Sequence, residues 1–146
     1  MWRLTGVGAG FLGVILSCGG QGQADTIDLD ANTRAAVEKG MDEQIALINR
    51  SAPIAVAPHQ KLISAARHGE VVLYRYELTL EPGGSATPKF IKMIADDVIK
   101  SNCKENKDTR VLLDLGYELK HVWYDQQGNF VSNVLVKKQS CISAGL

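Results

Sequence analysis

Histidines are the first side chains to consider for chemistry in this sequence, because they serve as general bases and as metal ligands. The 146 residues include three, His59, His68 and His121. They are far apart in the chain and do not form a metal-binding motif such as His-Glu-x-x-His. We therefore predict surface or rim histidines, no metal site and no cofactor.

Two other groupings resemble catalytic motifs without meeting their requirements. Asp96 and Asp97 are adjacent on a predicted helix, where successive side chains diverge by about 100° and do not converge on one substrate atom. The segment 83–85, Gly-Gly-Ser, lacks the spacing of a serine nucleophile elbow and the lysine of a phosphate-binding loop. No residue is predicted to act as a nucleophile or general base, and the sequence favours a protein that is not an enzyme.

Aromatic residues in two strand-like segments, 71–80 and 117–124, are the remaining candidates for function. Side chains alternate along a strand, so one side of each segment packs under helices and the other side keeps an aromatic residue near Arg75 and Glu77. Tyrosine, tryptophan and arginine often anchor protein interfaces. The candidate binding surface comprises Tyr74, Arg75, Tyr76, Glu77, Tyr117, His121, Trp123 and Tyr124. In the alternative interpretation, cross-strand aromatic pairs at these positions only stabilise the sheet.

Hydrophobic periodicity and turn residues predict the elements that position these side chains. Helical spacing of apolar residues and N-capping residues predict helices over 33–49 and 88–102, with a short helical turn over 109–115. Alternation predicts strands over 61–67, 71–80, 117–124 and 130–138, while Pro53 and Pro58 mark 51–60 as a connector. The predicted fold is a single α+β domain, a two-layer sandwich in αββ-αββ order. Two hairpins form a four-stranded antiparallel sheet, and two main helices cover one face.

The N-terminal segment has the pattern of an export signal. Arg3 is the only charge before Asp25, and the apolar run over 6–17 is too short to span a membrane. Small residues at Gly22 and Ala24 predict a signal peptide over 1–24 and a mature domain over 25–146. Alternatively, residues 15–18 resemble a lipobox, so Cys18 would be lipidated after a signal over 1–17. Residues 18–30 would then tether the domain to the outer membrane.

Export bears on the other two cysteines, Cys103 and Cys141. They are too far apart for a Cys-x-x-Cys redox motif. An even number of cysteines in an exported chain favours a disulfide, and the alternative is two buried free thiols.

Composition and charge exclude several classes of partner. The chain is 45% hydrophobic and 22% charged, with 16 basic and 16 acidic residues. This is ordinary globular composition, without the basic excess or polybasic run that nucleic acids or anionic membranes attract.

The C-terminal third resembles known exported domains. The resemblance rests on Cys103, the segment 110–116 (Arg-Val-Leu-Leu-x-x-Gly), the segment 122–128 and the closing Cys141. It is similar to small exported bacterial domains, including a quorum-sensing-regulated virulence-factor family and, more loosely, the pilotins of type II secretion. The resemblance implies a periplasmic α+β domain with a disulfide and supplies no catalytic residues.

These observations favour an exported, non-enzymatic binding or accessory protein of the bacterial envelope, with another envelope protein as its partner and a role in secretion or virulence. It would be periplasmic or secreted, or an outer-membrane lipoprotein if Cys18 is lipidated. The alternative is a small periplasmic hydrolase or enzyme inhibitor whose site is assembled from scattered residues.

Overall fold

The computed structural model of the protein describes residues 29–80 and 85–146. The predicted signal segment and Cys18 lie outside the described residues. The helices are α1 (Ala31–Ser51), α2 (Pro88–Lys100), α3 (Lys107–Asp114) and α4 (Lys138–Ser143), with a π-helical turn at Ser101–Glu105. The strands are β1 (Ile54–Ala57), β2 (Gln60–His68), β3 (Val71–Leu78), β4 (Glu118–Asp125) and β5 (Phe130–Val136).

Side-chain caps fix where the two long helices begin. The Asp30 carboxylate accepts hydrogen bonds from the backbone N–H groups of Asn32 and Thr33, both at 3.0 Å. The Thr87 hydroxyl accepts from the Phe90 N–H at 3.2 Å, and proline follows at the first helical position. These contacts satisfy N–H groups that have no partner inside a helix.

The sheet is mixed and has five strands in the order β1-β2-β3-β4-β5. All neighbours are antiparallel except β3 and β4, which are parallel. The α+β class is confirmed, whereas the four-stranded antiparallel sheet, the count of two main helices and the αββ-αββ order are wrong. The chain between β3 and β4 carries α2 and α3, and a connection of that length returns to the starting end of the sheet, as a parallel pair requires.

Strand β1 lies in the segment predicted to be a connector. It has four residues and forms the edge of the sheet, where Ile54 pairs with Leu62. Proline is tolerated beside an edge strand because no outer neighbour needs its missing N–H. Pro53 and Pro58 therefore bound the strand, and the prediction of a connector over 51–60 is wrong for Ile54–Ala57.

One face of the sheet packs against the helices and forms the core. Its strand residues with almost no solvent exposure are Val72, Leu78, Leu119, Trp123 and Val136, and they pack with Val37 and Met41 of α1, Ile94 and Val98 of α2, and Leu113 of α3. Helix α1 is also fixed to β2 by Asn49, whose side-chain amide exchanges two hydrogen bonds of 2.8 Å with the backbone of Ala65. Within the described residues, no helix is long and apolar enough to cross a bilayer.

The predicted disulfide between Cys103 and Cys141 is confirmed. Both residues are buried, and the bond joins the π-helical turn to α4. It therefore pins the last helix to the chain that follows α2, across a separation of 38 residues.

We expect the double substitution Cys103→Ala/Cys141→Ala to lower the free energy of unfolding by roughly 4 kcal/mol, because the cross-link restricts the unfolded chain. Urea denaturation followed by circular dichroism measures the change. Reduction of the unsubstituted protein is the matched comparison and should give a similar loss. A loss below about 1 kcal/mol in both would contradict a stabilising role.

Candidate functional site

The parallel register of β3 and β4 separates the predicted surface residues into two groups. Tyr74 lies opposite His121 and Tyr76 opposite Trp123, whereas Arg75 and Glu77 lie opposite Val122 and Tyr124. Tyr74, Tyr76, Tyr117, His121 and Trp123 belong to the helix-covered face, and Arg75, Glu77 and Tyr124 belong to the other face, which we call the open face. The structure therefore does not bring the eight predicted residues together.

Four rings on the covered face are stacked along β3 and β4. His121 is stacked with Tyr74 and Tyr76 at centroid separations of 5.2 and 5.7 Å. Trp123 continues the stack against Tyr76 at 5.5 Å and His121 at 6.1 Å. His121 and Trp123 are only 4% and 2% exposed, so these rings contribute to the core.

Hydrogen bonds determine which ring nitrogen of His121 carries the proton, and burial keeps the ring neutral. The Asn102 amide nitrogen donates to the Val98 carbonyl at 2.8 Å and lies 3.3 Å from Nε2 of His121. Nε2 therefore accepts, and the proton resides on Nδ1, which lies 3.0 Å from the Tyr76 hydroxyl. Burial lowers the pKa of His121 from its ordinary 6.5 to about 3, so the ring stays neutral at physiological pH.

The prediction of surface or rim histidines is wrong for His121. Its two ring nitrogens are matched by Asn102 and Tyr76, which compensates for the loss of water. Burial also raises the pKa of Tyr74 to about 12 and that of Tyr76 further. Because the pKa values of His121 and the two tyrosines lie far from neutral pH, these side chains neither accept nor donate a proton readily. The cluster is therefore organised for packing and not for acid–base chemistry.

The remaining predicted aromatic residues on the covered face are also held by hydrogen bonds. The Trp123 indole N–H donates to the Gln60 side chain at 3.0 Å, and the Tyr117 hydroxyl donates to Glu38 at 3.3 Å. Among the described residues, every buried side-chain nitrogen and oxygen has a hydrogen-bond partner. Such complete pairing is typical of a structural core.

The open face contains a shallow groove of about 430 Å³. Its apolar lining consists of Val71, Leu73, Val122, Tyr124 and Phe130. Polar and basic side chains complete the lining, namely His68, Arg75, Lys120 and Asn133. Tyrosine and arginine side chains are the kind that often anchor protein interfaces.

Aromatic contacts shape one end of this groove. The Arg75 guanidinium lies 6.0 Å from the centroid of the Tyr124 ring, within the range of a cation–π contact. Phe130 meets Tyr124 edge to face at 6.3 Å and is itself 60% exposed. Phe130 was not among the predicted surface residues. The sequence feature that could have identified it is its position as the first residue after the 125–129 turn, at the start of β5.

No group of three potential metal ligands comes together within residues 29–80 and 85–146. A second concave region runs along α1 and includes Glu38 and Asp42. Both carboxylates are engaged by Arg67, at 3.4 Å to Glu38 and 2.8 Å to Asp42. The charged groups of that region are therefore engaged in ion pairs that attach α1 to β2, and the open-face groove is the stronger candidate site.

Comparison with known proteins identifies the fold. No protein-family model matches the sequence, and curated proteins give no sequence match. The pilotin EpsS of the Vibrio vulnificus type 2 secretion system aligns with a TM-score of 0.62 at 15% identity, covering 77% of this chain and 97% of that chain. The type II secretion pilotin AspS from Vibrio cholerae gives 0.60 at 22% identity, covering 76% and 97%.

A third solved structure, of a candidate secreted protein from Pseudomonas aeruginosa, has a TM-score of 0.60 at 14% identity and covers 78% of this chain and 99% of that chain. The pilotin-like resemblance inferred from the sequence is thus confirmed as a likeness of fold.

Burial of His121 predicts a specific pH dependence of stability. The unfolded chain protonates this residue near pH 6.5, whereas the folded protein keeps it neutral down to about pH 3. The unfolded state therefore binds more protons between these values, and the free energy of unfolding should fall by about 1.5 kcal/mol from pH 6.5 to pH 5. Urea denaturation at the two pH values measures the change.

His121→Phe should make the protein less stable at pH 7 and remove most of this pH-dependent loss. His59→Gln changes an exposed histidine and should preserve it. The interpretation fails if His121→Phe shows the same loss as the unsubstituted protein. Hydrogen bonds lower the pKa of three carboxyl groups, those of Asp30, Asp42 and Asp125. The stability that they contribute is therefore lost only as the pH falls below their ordinary pKa of 3.8, outside this window.

Proposed function

We propose that this protein is an exported, non-enzymatic accessory protein of the bacterial envelope, which binds another envelope protein in the service of protein secretion. The observation that carries the proposal is the open-face groove, in which Arg75, Tyr124 and the exposed Phe130 lie next to one another. The pilotin-like fold supports a secretion-related role.

A binding role suits the chemistry of the open face better than catalysis does. Tyr124 and Phe130 present rigid rings, which lose little conformational entropy when a partner docks on them. The alternative, a small hydrolase or enzyme inhibitor, calls for accessible reactive groups or an inhibitory loop. His121, whose two ring nitrogens lie within hydrogen-bond distance of Tyr76 and Asn102, is enclosed and neutral.

Export is the second part of the proposal. A signal over 1–24 releases a soluble periplasmic or secreted protein, whereas cleavage before Cys18 leaves a lipid anchor at the outer membrane. In both cases the mature chain enters α1 through Leu29, which packs against the core, and through the Asp30 cap. Removal of the leader is therefore compatible with the complete fold of the described residues.

We expect the exported protein to have lost its leader. Intact mass spectrometry of protein isolated from the envelope should give a chain that starts at Asp25 or at an acylated Cys18. The Cys18→Ser substitution separates the two forms, because it prevents acylation and so changes the N-terminus and the mass of the exported product only in the second. Envelope material that still starts at Met1 would refute processing.

Substitutions on the open face test the binding role. Phe130→Ala and Tyr124→Ala should each weaken capture of the partner by more than about 1 kcal/mol, a roughly fivefold or greater loss of affinity. Capture is measured by quantitative mass spectrometry of envelope proteins retained by the immobilised mature protein. Met93→Ala is the matched control, since Met93 lies on α2 and is 51% exposed.

The same variants test the link to secretion in the bacterium that encodes the protein. Deletion of the gene should lower the amounts of secreted proteins in the culture medium. Met93→Ala should restore them and Phe130→Ala should not. If both variants restore secretion and retain capture while remaining folded, the open face is not the binding surface.

A further inference from the structure

The charges on the open face are not balanced within it. Two carboxylates on this face are paired with lysines: Glu77 lies 3.9 Å from Lys61, and Glu118 lies 3.3 Å from Lys137. Within the described ranges, Arg75 and Lys120 form no ion pair, and both line the groove. The groove lining contains no carboxylate from the described residues.

The strand register brings these two cations close together. Arg75 lies opposite Val122 and Lys120 lies opposite Leu73, so the two basic residues are diagonal neighbours on adjacent strands. Like charges at such positions repel each other, and an anionic group between them would turn that repulsion into two attractions. The contact of Arg75 with the face of the Tyr124 ring leaves its planar donors available to a carboxylate.

Apolar surface adjoins this pair of cations. Leu73 lies directly opposite Lys120 and is partly exposed, and the 60% exposed Phe130 ring lies on β5 beside Tyr124. A ligand that satisfies both features has an acidic group next to a large apolar group. A peptide segment can supply both from neighbouring side chains.

We infer that the open-face groove binds an acidic segment of a partner protein, with a carboxylate between Arg75 and Lys120 and an aromatic or large aliphatic side chain against Phe130. This inference rests on the proposed function and names the chemistry of its partner. A peptide fits better than an anionic membrane surface, because the two cations without an ion-pair partner among the described residues are confined to the groove. Elsewhere on the face, Lys61 and Lys137 are already compensated by Glu77 and Glu118.

Selection from a phage-displayed library of random dodecapeptides on the mature protein tests this inference. Peptides retained by the unsubstituted protein should be enriched in Asp or Glu beside aromatic or large aliphatic residues. The charge-reversed variant Arg75→Glu/Lys120→Glu should lose that preference and favour Lys or Arg. The variant Lys39→Glu/Lys92→Glu makes the same change in net charge on exposed helical positions, and should keep the acidic preference.

Binding of one selected peptide then gives the size of the effect. By fluorescence anisotropy, Arg75→Glu should bind it about tenfold more weakly, and added salt should weaken binding to the unsubstituted protein. The inference is overturned if no peptides are selected, if they lack acidic residues, or if charge reversal leaves the selection unchanged. It is also overturned if phosphatidylglycerol vesicles displace the peptide and bind equally well, because the groove would then recognise a lipid surface.

These outcomes are separable from failure of the proposed function. If acidic peptides are not selected but Phe130→Ala still loses the envelope partner, the proposed function stands and the acidic chemistry is wrong. If Phe130→Ala and Tyr124→Ala both retain the partner, the open face is not used and the proposed function itself fails.

Discussion

Parallel pairing of β3 with β4 determines which side of the sheet is filled and which side stays open. A parallel pair needs a long connection, and here that connection carries α2 and α3 over one face, where α1 also packs. The helices therefore bury alternate residues of both central strands, such as Val72 and Leu119. The intervening residues, including Arg75 and Tyr124, remain on the other face. The candidate site is a consequence of this topology.

The covered face shows how polar aromatic residues are accommodated inside a small core. Trp123 and His121 each reach a side-chain partner, Gln60 for the indole and Asn102 for the imidazole. Full pairing converts groups that are costly to bury into contacts that tie β4 to β2 and to the π-helical turn. The same residue types that suggested a binding surface in the sequence therefore stabilise the fold.

Sequence reasoning located most elements and the disulfide but not the arrangement of the strands. Alternation correctly separates Trp123 from Tyr124, because period-two patterning reports the face on which each residue lies. It does not report which strand is the neighbour, so the parallel pairing was missed. The short edge strand β1 was hidden by Pro53 and Pro58. Of the predicted binding residues, Arg75, Glu77 and Tyr124 lie on the open face, whereas burial of His121 depends on Asn102, a contact between distant segments.

The central claim is that the open face, and not the outer surface of the helices, meets a partner in the envelope. Hydroxyl-radical labelling tests it directly by comparing the purified mature protein with the same protein in intact envelopes, residue by residue. The account predicts that Tyr124 and Phe130 are labelled less in the envelope, while Met93 and Ile142, exposed on helices α2 and α4, are labelled equally in both. Protection of Met93 and Ile142 with full labelling of Tyr124 and Phe130 would contradict it.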